Sequence, residues 1–104
     1  MTVSAWLRER TPAPPERLSA SIEAALGARL SAPRAEVTDA CIDAAEALLR
    51  DLLARPSMGR DSALDLLTVD ALVTYAFEAA ADDPATLDAR ARDAARRLAA
   101  VTNG

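Results

Sequence analysis

Histidine and lysine are both missing from this chain of 104 residues, and cysteine occurs once. Without His there is no His-ligated metal site and no triad or general base built on imidazole. Without Lys there is no Schiff-base chemistry. Cys41 on its own cannot close an internal disulfide. Aromatic side chains are scarce, with only Trp6, Tyr75 and Phe77. No apolar run approaches the length of a membrane span. An excess of positive charge is also lacking: 12 Arg stand against 16 acidic residues, a net charge of −4. That balance argues against nucleic acid and against anionic lipid as partners. At the start of the chain, Arg8, Glu9 and Arg10 stand where a secretory leader would be apolar, so a cytoplasmic protein is expected. No cofactor, metal or catalytic residue is expected.

Alanine fills 26 positions, and Ala, Leu, Arg and Glu together dominate the chain. These are strong helix formers. No stretch alternates apolar and polar residues with the β-branched and aromatic content of a strand. The expectation is therefore an all-α fold, a small bundle of four to five helices over about 2–10, 15–30, 33–54, 61–82 and 84–101. The connections are marked by Pro, and no Pro interrupts a periodic segment. We see no internal repeat and read 1–104 as one helical domain, with 1–14 as a docking arm and Pro-rich connector.

Segment by segment, the apolar spacing says which faces seek cover. Val3, Trp6 and Leu7 form an i, i+3, i+4 triplet on the arm. A helix that short is marginal in water, so it must dock, either on its own chain or on another. Leu18, Ile22, Leu26 and Leu30 recur every four residues, with Gly27 weakening the helix near its end. Val37, Cys41, Ala44, Leu48 and Leu52 make one seam, widened by Ile42, Leu49 and Leu53. Opposite that seam stand Glu36, Asp39, Asp43, Glu46 and Arg50, expected to form a solvated face. The segment 61–82 is apolar on two sides: Leu66, Val69, Val73, Phe77 and Ala80 on one, Leu64, Leu67, Ala71 and Tyr75 on the other. Such a helix has neighbours on both sides. Leu87, Ala91, Ala94, Leu98 and Val101 complete a short a/d seam in the last segment.

Two sets of site residues follow. Arg55, Arg60 and Arg90 are the arginines best placed to hold an anion, the first two beside a helix start. Trp6, Leu7, Leu64, Leu67, Ala71 and Tyr75 are the residues expected at an interface, because Trp is a frequent anchor and the second face of 61–82 exceeds what a thin bundle covers. Cys41 reads as a small buried hydrophobe. The functional expectation is a small non-catalytic helical interaction module, a homodimer or a partner of another protein. Its motive is a thin core: Ala buries little area, so the larger side chains must supply most of the hydrophobic stabilisation. The alternative is a small all-α enzyme or ligand-binding domain in which Arg holds an anionic small molecule.

Overall fold

The computed structural model describes residues 1–55, 59–82 and 84–103, without the side chains of 60, 61 and 84–87. Five α-helices account for most of it: α1 (Val3–Arg8), α2 (Glu16–Leu26), α3 (Val37–Ala54), α4 (Arg60–Ala80) and α5 (Pro84–Asn103). No strand is present among the described residues, so the chain is all-α as its composition implies.

The short α1 is held in place from several directions. Thr2 caps it, its hydroxyl accepting from the Ala5 N–H at 3.2 Å. The Val3 N–H donates to the Ala32 carbonyl, and the Arg34 N–H donates to the Met1 carbonyl, each at 2.9 Å. These bonds pair the start of the chain with the segment before α3. The expected helix over 33–54 starts later than its sequence span: Pro33 is extended (φ −59°, ψ 151°), Arg34–Glu36 forms a 3₁₀ turn and α3 starts at Val37. The expected helix over 15–30 likewise ends early. Gly27 takes φ 53° and ψ −127°, a conformation L side chains rarely adopt, and Gly27–Ser31 continues as 3₁₀. The Thr11–Pro12 bond in the Pro-rich connector is cis.

The hairpin of α3 and α4 is the centre of the fold. Its buried line combines Val37, Ala40, Cys41, Ile42 and Ala45 from α3 with Thr68, Leu72, Ala76 and Ala80 from α4. Two expected faces of 61–82 need correction here. At about 100° per residue, Thr68, Leu72 and Ala76 lie between them, and that middle line is the one buried. Small residues permit close approach of the helix axes, so the closest line carries Ala and Thr. Larger side chains straddle it or face outward, Leu66, Leu67 and Phe77 among them. The buried hydroxyls are paired: Thr68 shares 2.8 Å hydrogen bonds with Ser21 of α2 and the Leu64 carbonyl. Thr38 reaches the Ala76 carbonyl at 3.4 Å.

Helices α1 and α2 cover one side of this hairpin and α5 the other. Ile22 and Leu26 enter the core from α2, and Val3 and Trp6 from α1. On the far side Ala94 and Val101 of α5 are buried, with Ala91 and Leu98 half-buried beside them. That is the expected a/d seam; its first member, Leu87, lies outside the described side chains.

Candidate association surface

Burial is uneven along the hairpin. The end where α3 starts and α4 finishes holds the core. The other end is rich in leucine: Leu48, Leu49, Leu52, Leu53, Leu64, Leu66 and Leu67. None of these seven side chains is fully buried, and Leu53, Leu66 and Leu67 are 57%, 56% and 56% exposed. Burial of a leucine side chain is worth roughly 1.5–3 kcal/mol, so leaving several in water forfeits much of what this small chain has available.

Helical register orders these residues. Leu53 follows Ile42 by eleven positions and Leu66 precedes Phe77 by eleven, a turn of only about 20° in each helix. Ile42 and Phe77 both line the narrow gap against Arg90 and Ala94 of α5. Leu53 and Leu66 therefore continue the face that α5 covers, but beyond the stretch where it is covered. Of the residues expected at an interface, Leu64 and Leu67 fall at this leucine-rich end.

The rest of that set lies elsewhere. Trp6 is only 1% exposed, so the arm docks on its own chain. Its ring meets Tyr75 edge to face at a centroid distance of 6.0 Å, and the Arg10 guanidinium lies 3.8 Å from the Trp6 ring centre. Leu7 and Ala71 are half-buried and pack against the core. The reading of Trp6 as an anchor for a second chain is thus corrected: its ring is taken up by Tyr75, Arg10 and the core.

The expected anion holders do not converge. Arg55 ion-pairs with Asp65 at 2.6 Å and with Asp51 at 3.3 Å at the leucine-rich end. Arg90 sits at the opposite end, half-buried, on a cavity of about 230 Å³ that it shares with Thr38 and the paired Arg34 and Asp82. The Arg60 side chain lies outside the described residues.

The acidic stripe of α3 is no plain solvated face. Arg97 of α5 reaches Asp43 at 2.6 Å and Glu46 at 2.5 Å. Arg29 reaches Asp43 from the other side at 2.8 Å, and Arg50 meets Glu46 at 3.1 Å. Burial pushes the Asp43 carboxyl up, but the hydrogen bonds from Arg29 and Arg97 outweigh it and hold Asp43 below its ordinary value. Hydrogen bonds from Arg97 and Arg50 lower Glu46 likewise. The same contacts raise Arg97, which stays charged at every accessible pH. This network ties α5 and the 27–31 turn to α3. The three-residue spacing of Asp43 and Glu46 was visible in the sequence, but not that a fifth helix supplies their partner.

One concavity was not foreseen. Beneath α1 lies a pocket of about 170 Å³, lined by residues of α1, the Pro-rich connector, α2 and Tyr75 of α4. Leu7 and Tyr75 were singled out from the sequence, whereas Arg8 and Arg10 were not. The spacing of Arg10 four residues after Trp6 was the available signal, since a side chain at i+4 can reach back over its neighbour. Among the described residues, no three acidic or cysteine side chains are grouped to hold a metal ion. Among the same residues, no helix is long and apolar enough to cross a membrane. Comparison with known proteins brings no match, either to a family model, to a curated protein or to a solved structure.

Proposed function

We propose that this chain is a non-catalytic helical association module that pairs with a second copy of itself through the leucine-rich end of the α3–α4 hairpin. The observation that supports this reading is the set of seven leucines there, none fully buried, on a chain whose buried core elsewhere includes five Ala: Ala40, Ala45, Ala76, Ala80 and Ala94. A two-fold pairing brings the same patch of each copy together, so each exposed leucine meets an apolar surface. The charges at this end suit such a contact, because Arg55 is satisfied by Asp51 and Asp65 within its own chain. Sedimentation equilibrium at micromolar concentration tests the reading, with Leu53→Glu and Leu66→Glu as variants. The wild-type chain is expected to be dimeric and both variants monomeric but still helical. A wild-type chain that remains monomeric into the high micromolar range refutes it.

A further inference from the structure

We propose that the pocket beneath α1 binds a small monocarboxylate with an aromatic or branched aliphatic body. Its volume of about 170 Å³ is close to that of a cavity, roughly 150 Å³, known to take a benzene ring in another protein. The floor is apolar, with Ile22 buried and Leu7 and Leu30 half-buried. The mouth carries donors. Arg8 is exposed and donates to Ser4, through its carbonyl at 3.4 Å and its hydroxyl at 3.2 Å. Among the described residues it has no carboxylate partner. Arg10 is fixed over Trp6, its Nε donating to the Trp6 carbonyl at 3.2 Å. Its ion pairs with Glu9 and Glu78 are long, 3.9 and 3.6 Å, which leaves its donors loosely engaged.

Tyr75 lines the pocket as well, and among the described residues its hydroxyl has no hydrogen-bond partner. Burial and the neighbouring Glu78 raise Tyr75, against the opposing pull of Arg10, so the phenol keeps its proton at neutral pH. Glu23 is the one carboxylate on the wall, and it is exposed. An apolar carboxylate places its body on the Ile22 floor and its charge against Arg8 and the Tyr75 hydroxyl. A charge-assisted hydrogen bond is stronger than a neutral one, so a neutral ligand of the same shape binds less tightly. A bare anion lacks the body that fills the floor. None of the seven leucines lines the pocket, so either reading can fail alone.

Trp6 is the only tryptophan in the chain and lies against Arg10 and Tyr75, so its fluorescence reports on the pocket. The full chain is titrated with benzoate, isovalerate, benzamide and inorganic phosphate, with calorimetry in parallel. Benzoate or isovalerate is expected to saturate the signal, about tenfold or more tighter than benzamide, while phosphate does not saturate. Arg8→Gln is expected to remove that margin, with Arg96→Gln, an exposed residue on α5, unchanged. Unaltered thermal melts establish that both variants fold. The proposal is overturned if neither carboxylate saturates, if benzamide or phosphate binds as tightly as the carboxylates, or if Arg8→Gln binds like the wild type.

Discussion

Replacing Trp6 by Ala tests how far a six-residue helix anchors this fold. A buried Trp removes about 150–250 Å² from water, worth roughly 4–6 kcal/mol at ~25 cal/mol per Å². The unfolded chain already hides part of that surface, so the figure is an upper bound. Trp→Ala changes in cores cost about 3–5 kcal/mol. The edge-to-face contact with Tyr75 and the stacked Arg10 fall within that sum rather than on top of it. Undocking sets the ceiling, because a chain that has released α1 loses nothing further at position 6. We expect a loss of about 3 kcal/mol or more, a large share of the roughly 5–15 kcal/mol typical of a domain this size. The melting point should fall by at least about 12 °C.

Urea unfolding followed by far-UV circular dichroism gives the number without relying on the lost fluorophore. Arg10→Ala supplies the cross-check: it should cost about 0.5–1 kcal/mol in the wild type and almost nothing beside Trp6→Ala. A loss under about 1 kcal/mol for Trp6→Ala would refute the buried placement. A loss that grows as protein concentration rises would show that the arm docks on a partner.

Three further outcomes follow from local structure. Gly27→Ala should destabilise by about 1–3 kcal/mol even though no atom lies within 4 Å of the added methyl, because φ 53° is strained for any L side chain; a more stable variant in urea would contradict it. Burial pushes the Cys41 thiol up to about 12, so the stability from keeping it neutral is complete below the ordinary thiol value and fades as pH rises toward that figure. At neutral pH, labelling of Cys41 by a thiol reagent should proceed only at the rate of unfolding; fast labelling of the native chain would count against this. Asp43 and Glu46 are lowered in the fold, so their contribution is present above the ordinary carboxylate range and is lost as pH falls through their lowered values. Arg97→Met should therefore flatten the acid limb of the stability curve, and an unchanged limb would remove Arg97 from that role.

Much of the fold was legible locally. Pro positions and the apolar spacing place five helices, and their ends miss by few residues except near Gly27 and Pro33. Both exceptions are non-local or conformational. Gly27 turns at a positive φ instead of merely weakening a helix, and the segment before α3 hydrogen-bonds with the start of the chain. The seam of the last helix was readable because charged residues leave only one face of it apolar. The faces of 61–82 were not. An apolar band there spans more than half the helix, and periodicity alone does not say which line within it is approached most closely.

The candidate sites divide along the same boundary. That Leu64 and Leu67 want cover follows from composition and register. That Trp6 finds cover within its own chain does not, since the same triplet serves either partner equally well. The charges behave likewise: the sequence shows that Asp43, Glu46 and Arg97 exist, and helix packing decides that they meet.

By itself the sequence determined helix class, a count of four to five helices and the chemistries without a residue to perform them, because propensity, spacing and the lack of His and Lys are properties of the chain alone. The tertiary structure decided where burial falls. Small residues let α3 and α4 close tightly at one end, the arm and α2 complete the core there, and the leucines at the other end stay partly in water. The pocket beneath α1 arises in the same way, from the meeting of segments far apart in the chain whose separate patterns carry no record of the space between them.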